Sequence, residues 1–225
     1  MFHTRKAEVV TRKNEKELGT RERLLEAAGR VFAQKGYRDA TIAGICKQAR
    51  ANIAAVNYHF GGKRKLYVAV WHHLFHESLK RYPPEGGVPE SAPPEERLAG
   101  RVGSLIRRVL SRDNSFTIME QELGDPTGLL EGPIKKAITP LRTRMLELVS
   151  ELLGEGATER QIEFCVMSIM SQCMALRHRM RMRKPPHARK WLTPSGIHKL
   201  AEHITQFSLG GIREVRRQIK SAQRH

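Results

Sequence analysis

The chain has 225 residues, 40% hydrophobic but only 6% aromatic, and carries 40 Lys and Arg against 23 Asp and Glu, a formal charge of +17. That length holds one large domain or two smaller ones, and the few aromatic residues favour aliphatic helix packing over a β-sandwich. So large a positive excess predicts an anionic partner, nucleic acid or a membrane surface.

Residues 1–19 are polar and of mixed charge and are expected to form a flexible arm. Thr20 is placed to cap a helix whose apolar stripe runs through Leu24, Leu25, Ala28, Val31 and Phe32 to a stop at Gly36. Thr41 then caps a second helix with Ile42, Ile45 and Ala49 inward, and Asn52 caps a third with Ile53, Val56 and Phe60 inward. Gly61 and Gly62 break it. A fourth helix is predicted from Lys63 to Tyr82 through Leu66, Val70, Leu74 and Leu79.

The stretch PPEGGVPESAPP, from Pro83 to Pro94, is the clearest loop or linker. Beyond it the periodicity is again helical. One helix carries Leu98, Val102, Leu105, Ile106 and Val109, and a short one runs Phe116 to Leu123. A long one spans Ile134 to Leu153 with Pro140 expected to kink it. Thr158 caps another, through Ile162, Val166, Ile169, Cys173 and Leu176. A last large helix is expected from Ser195 to Leu209, followed by a basic tail from Ile212 to Ile219. No strand pattern, repeat or low-complexity tract is evident, so the fold class is all-α.

Other classes fall away on composition. Cys46, Cys165 and Cys173 are odd in number and lie in apolar helical patterns, which fits neither a disulfide scaffold nor a zinc site. Free thiols in a reducing cytoplasm are expected. The opening MFHTRKAEVVTRKNEKELG lacks the apolar core of a signal peptide, and no run of about 18 apolar residues is present to span a membrane. There is no Gly-rich phosphate loop, no GxSxG and no paired acids of clear purpose, so no enzyme chemistry and no cofactor is predicted.

Charge singles out the N-terminal part. No carboxylate occurs between Asp39 and Glu77, whereas Lys47, Arg50, Lys63, Arg64 and Lys65 all fall there. Two short helices capped at Thr41 and Asn52 and joined through Ala49, Arg50 and Ala51 match a helix-turn-helix. Its second helix is expected in the major groove, presenting Asn52, Ala54, Ala55, Asn57, Tyr58 and His59. Asparagine can bond adenine bidentately, and alanine methyls can touch thymine methyls. Tyr58 and His59, near the helix end, suit phosphates, as do the hydroxyl and free N–H groups at Thr41 and the ammonium of Lys63.

These residues carry a resemblance. Thr41-Ile42, Ala49, Asn57-Tyr58-His59-Phe60, Lys63 and Leu66-Tyr67 resemble the DNA-binding signature of the TetR family of bacterial transcriptional regulators, over about residues 20–67. Asn52-Ile53-Ala54-Ala55-Val56 with Gly61-Gly62-Lys63 is similar to the CecR-like subgroup. So are Gln121-Glu122-Leu123 with Asp125-Pro126-Thr127, Ile138 with Pro140-Leu141, Thr193-Pro194, and Ile204 to Gly211. Two departures raise the positive charge. Arg50 stands where the family usually has glycine, so a slightly different turn or a further phosphate contact is expected, and Arg64 and Lys65 replace residues that are often acidic.

The resemblance implies a helix-turn-helix domain at 20–67 and a helical effector-binding and dimerisation domain at 68–225. It implies a homodimer that binds a palindromic duplex DNA operator as a repressor and is released by a small-molecule effector, with no membrane partner. The alternative that the charge supports is nonspecific, nucleoid-type or RNA binding. A small-molecule enzyme or carrier on the helical body has only a candidate pocket behind it.

That pocket would draw on Phe116, Met119, Glu120, Met145, Met170 and Met174, with Met167 nearby, although methionines at helical spacing also serve as core filler. Glu120 or Glu122 is expected either to meet a cationic effector or to pair with Arg142 or Arg144. Ile162, Val166, Ile169, Ile204 and Phe207 are candidates for a dimer interface, as a four-helix bundle across a two-fold axis. Cys165 and Cys173 suit core packing or thiol sensing. His72, His73 and His76 are read as surface or interface residues, not metal ligands. The acid-free run RHRMRMRKPPHARK, Arg177 to Lys190, is a solvated helix end, a phosphate-binding surface or a site for an acidic effector.

Overall fold

A computed structural model describes residues 3–111, 113–182 and 193–223, with side chains from residue 19 onward except 178–182. Among them lie nine helices and no strand. They are α1 His3–Asp39, α2 Ile42–Ala49, α3 Ile53–Phe60, α4 Lys63–Arg81, α5 Pro94–Leu110, α6 Asn114–Gly124, α7 Glu131–Leu153, α8 Glu159–Met182 and α9 Pro194–Ala222. No described helix is long and apolar enough to cross a membrane.

The helix ends follow the local chemistry of the chain. Gly36 takes a left-handed φ of 73° and interrupts α1 near its end, where a side chain would be strained. Thr158 and Gln161 form a reciprocal capping box at the start of α8. The Thr193 hydroxyl accepts the Gly196 N–H at 3.0 Å, with Pro194 in the first turn of α9. Three expectations change. Residues 3–19 have helical backbone continuous with α1, so Thr20 is not a cap; its hydroxyl accepts from Arg23 at 3.0 Å. Nothing in that stretch before Gly19 breaks a helix. The helix at the end of the chain is continuous through the expected basic tail. The long helix runs through Pro140 unbroken.

The contacts divide the chain into two units. The first comprises residues 1–77 with 113–135, the second 78–112 with 136–225. In the first, Leu24, Leu25, Ala28 and Phe32 of α1 are buried with Ile45 and Ala49 of α2, Val56 and Phe60 of α3, and Leu66, Tyr67, Val70 and Trp71 of α4. Full burial of one such leucine side chain is worth roughly 2 kcal/mol. Helix α6 joins this unit. The Gln121 amide donates to the Ala33 carbonyl at 2.9 Å, and Arg38 grips Asp125 at 2.9 Å. Helix α6 lies within the 68–225 expected for the helical body, and ties made by one amide and one carboxylate leave no trace in apolar periodicity.

In the second unit the apolar face of α5, Leu98, Val102, Leu105, Ile106 and Val109, is buried with Val166, Ile169 and Cys173 of α8 and Ala201, Ile204 and Ile212 of α9. The end of α7 adds Leu148, Val149, Leu152 and Leu153. The loop after α4 is pinned by the Ser104 hydroxyl, which donates to the carbonyls of Pro83 at 2.6 Å and Tyr82 at 3.1 Å. A Cβ at Gly86 would collide with the Gly100 carbonyl, so this close approach requires glycine.

Candidate nucleic-acid interface

Helices α2 and α3 are held at a tight turn. Thr41 accepts the Gly44 N–H at 3.1 Å and starts α2. At its end Arg50 lies in the left-handed region, φ 50° and ψ 47°, with its N–H on Lys47 and the Ala51 N–H on Cys46. That is a Schellman ending with arginine where glycine is usual. The Cys46 thiol, its acidity weakened by burial, donates to the Asn52 carbonyl at 3.4 Å and braces the turn. Asn52 Oδ1 then accepts the Ala55 N–H at 2.8 Å and starts α3, which ends on Gly61 at φ 69°.

Only Val56 and Phe60 of α3 are buried. Asn52, Ala54, Asn57 and Tyr58 are exposed, and Ala55 and His59 are half-buried. One inward assignment is corrected, since Ile53 is 55% exposed. It stands in the first turn, before α3 reaches the core. The role of Asn52 also narrows. Its amide oxygen accepts one bond in the cap, which leaves one lone pair and the NH₂ for a base edge and ties the direction of the side chain to the start of α3. Asn57 is exposed, and among the described residues its side chain has no hydrogen bond, so its amide is open to a base edge.

Around α3 the charge is positive. Thr41, Lys47, Arg50, Arg64 and Lys65 are exposed. Lys63 is half-buried, with its ammonium 3.2 Å from the Arg38 carbonyl and 4.6 Å from the Tyr37 ring centre. One of its donors is therefore engaged, and two remain. Arg23 reaches the Ala49 carbonyl at 3.3 Å, and Arg21 lies over Phe60.

Beneath this surface lies a buried polar cluster whose bonding the sequence did not disclose. Glu122, 6% exposed, accepts from the Tyr67 hydroxyl at 3.3 Å and from the Thr127 N–H and hydroxyl at 3.0 and 2.9 Å. Burial, then the Glu122 charge, raise the Tyr67 pKa. Tyr67 also packs on Phe32 and Tyr37, each with ring centres 4.9 Å apart. The expected Glu122 pairing with Arg142 or Arg144 does not occur. Those arginines hold Glu163 and Glu85, because both lie in the second unit while Glu122 lies in the first.

The other candidates divide between the two units. Phe116 and Met119 are buried and Glu120 half-buried in the first unit, whereas Met145 is buried and Met170 and Met174 half-buried in the second. Among the interface candidates, Val166, Ile169 and Ile204 are only 5%, 2% and 5% exposed. They belong to the core of their own unit, which corrects that assignment. Ile162 is half-buried, and Phe207 is 66% exposed. The exposed apolar residues of α8 are Phe164 and Met167. Both faces of α8 are apolar, so periodicity alone selected the inner one. Cys173 is buried and its pKa is pushed up to about 12 by that burial. Among the described residues no three His, Cys, Asp or Glu side chains converge as a metal site. Most of the basic run, from residue 178 on, lies outside the described side chains; Arg177, buried, donates to the Val109 carbonyl at 3.0 Å.

The tetR family model of bacterial regulatory proteins matches residues 24–70, and that of the C-terminal domain of the HTH-type transcriptional dual regulator CecR matches residues 94–212. SrpR of Pseudomonas putida, an HTH-type transcriptional regulator, is 27% identical over 143 residues, 64% of this chain and 63% of SrpR. The chain thus spans under two thirds of the length of that curated relative, and less of BetI. FadR of Bacillus subtilis, solved with stearoyl-CoA, superposes with a TM-score of 0.65 at 15% identity, covering 84% of this chain and 98% of FadR. AibR, solved with isovaleryl coenzyme A and operator DNA, gives a TM-score of 0.62 at 17% identity over 84% of this chain and 97% of AibR. At such identities the two structures establish the shared fold. With a CecR-type C-terminal domain over more than half its length behind a tetR-type N-terminal unit, the chain belongs to the TetR family of transcriptional regulators.

Proposed function

We propose that this regulator is a cytoplasmic repressor that binds a palindromic operator as a homodimer and leaves it when a small-molecule effector binds. Residues 20–67 read the DNA, and residues 68–225 hold the effector and pair with a second copy. The observation that carries this reading is the surface of α3. It exposes Asn52, Ile53, Ala54, Asn57 and Tyr58 in a stretch of chain with no carboxylate from residue 40 to 76.

Within that reading, Asn57 and Ile53 are the principal base contacts, with Ala54 and Ala55 against thymine methyls and Asn52 at the start of the helix beside them. Thr41, Arg50, Tyr58, His59 and Lys63 hold phosphates and fix the register. Pairing is supported by the exposed Phe164, Met167 and Phe207 on α8 and α9. Two half-sites about 34–36 Å apart, or a multiple of that, must be met together. An effector that favours another separation weakens binding by linkage, typically about 1–3 kcal/mol. The effector reading is supported by FadR and AibR, which carry CoA thioesters on the same fold.

Selection from a random duplex pool tests it. An enriched inverted repeat, its half-sites separated by whole helical turns, is the expected result. A pool that emerges without any enriched sequence favours the nonspecific, nucleoid-type reading that the net charge of +17 supports.

A further inference from the structure

Helix α1 breaks at Gly36, and Tyr37 to Asp39, past the break, lead into Thr41 and the helix-turn-helix. Gly36 has φ 73° and ψ 175°, so the regular turn of the helix does not carry its direction on to these residues.

The end of α6 holds the chain on both sides of that break, within the first unit. Before it, the Gln121 amide donates to the Ala33 carbonyl at 2.9 Å. Past it, the Arg38 guanidinium donates to the two oxygens of Asp125 at 2.9 and 3.2 Å and to the Pro126 carbonyl at 3.5 Å. A bidentate pair of this kind fixes direction as well as distance. Asp125 is itself fixed. Its N–H donates to the Gln121 carbonyl at 2.8 Å, and just beyond it Glu122 accepts from the Thr127 N–H and hydroxyl.

The residues so held carry Lys63, the first residue of α4. Its ammonium lies 3.2 Å from the Arg38 carbonyl and 4.6 Å from the centre of the Tyr37 ring. A lysine on its flexible four-carbon stem loses rotamer freedom when it meets a phosphate. Here a carbonyl and a ring face hold the ammonium in advance, and two of its donors remain for a ligand.

We infer that Asp125 is a positioning residue for DNA binding: through Arg38 it holds the carbonyl and the ring from which Lys63 presents its ammonium to a phosphate. This rests on the DNA-binding role proposed above and deepens it, because it places a determinant of affinity on an acidic side chain outside residues 20–67. The sign of the effect is diagnostic. A surface carboxylate repels a polyanion, so by charge alone the loss of Asp125 tightens DNA binding. By positioning, the loss weakens it. The two side chains are 64% and 69% exposed, so the pair adds little to the stability of the fold.

Fluorescence anisotropy of the full chain with labelled duplexes tests it, one duplex from the flank of the chain's own gene and one scrambled, with melting followed by circular dichroism. Asp125→Ala is expected to weaken binding to both duplexes about three- to tenfold while melting close to the parent. Asp125→Glu keeps the carboxylate and is expected to bind as the parent does. In a Lys63→Ala background the Asp125→Ala change should cost nothing, since no ammonium is left to position. Binding by Asp125→Ala that equals or exceeds the parent's overturns the inference. So does a loss of the same size with and without Lys63, which marks a general loosening. The comparison holds on either duplex, because a phosphate contact does not depend on sequence. A parent that binds neither duplex overturns the DNA-binding reading and this inference with it.

Discussion

Helices α3 and α8 both leave large apolar side chains in the open, and their company differs. Ile53 and Tyr58 on α3 stand among Arg50, Lys63, Arg64 and Lys65 with no acid nearby in the chain. Phe164 and Met167 on α8 stand in a stretch without charge. An apolar group within a cationic surface suits base methyls between phosphates, whereas an uncharged apolar stripe suits another like itself. On the function proposed above, the same exposure would mark a DNA-reading surface in one unit and a pairing surface in the other.

The largest effect is expected from breaking the pairing surface. Phe164→Glu with Phe207→Glu should give a monomer in sedimentation, and operator affinity should fall about a hundredfold as the two half-sites are no longer held together. A dimer that survives both changes would remove α8 and α9 from the interface. Next comes the support beneath the reading surface. Glu122→Ala leaves the Tyr67 hydroxyl and the Thr127 N–H without their charged acceptor, and should cost about 2–3 kcal/mol in urea unfolding. A loss within measurement error would show that the cluster has no structural weight.

The reading surface itself separates two kinds of contact. Asn57→Ala or Ile53→Ala should change which base is preferred, by about 1–3 kcal/mol at one position of the half-site. Lys63→Ala should weaken every sequence alike and lower the salt slope by about one for each phosphate contact removed. A uniform loss from Asn57→Ala would contradict its place on a base edge. The smallest effect concerns the turn. Arg50→Gly removes a non-glycine residue from the left-handed region and should stabilise the fold by about 1 kcal/mol while loosening DNA a few-fold. Melting and anisotropy moving in the same direction would refute that pairing of effects.

What the sequence made legible follows physical scale. Caps and stops are local, so Thr41, Asn52, Gly61, Thr158 and Thr193 were readable from short patterns. The apolar stripes of α1, α5 and α8 located the cores through their period. Two things were hidden. One was which face of a doubly apolar helix turns inward, since periodicity alone does not tell the buried Val166 and Ile169 from the exposed Phe164. The other was every polar tie across a long separation, such as Glu122 to Tyr67 and Gln121 to Ala33, which places α6 in the first unit with α1 and α4. Ile53 and Asn52 show a third limit. An apolar residue in a first turn need not reach the core, and a capping side chain has part of its hydrogen-bonding capacity already in use.

The central claim is that α3 reads base sequence from within a cationic frame. Fluorescence anisotropy with duplex DNA from the flank of the chain's own gene, against a scrambled duplex of equal length and over a range of salt, tests it most directly. Binding to the native flank should be about a thousandfold tighter or more, and both should weaken steeply as salt rises. Equal affinity for the two duplexes, or binding indifferent to salt, would contradict it.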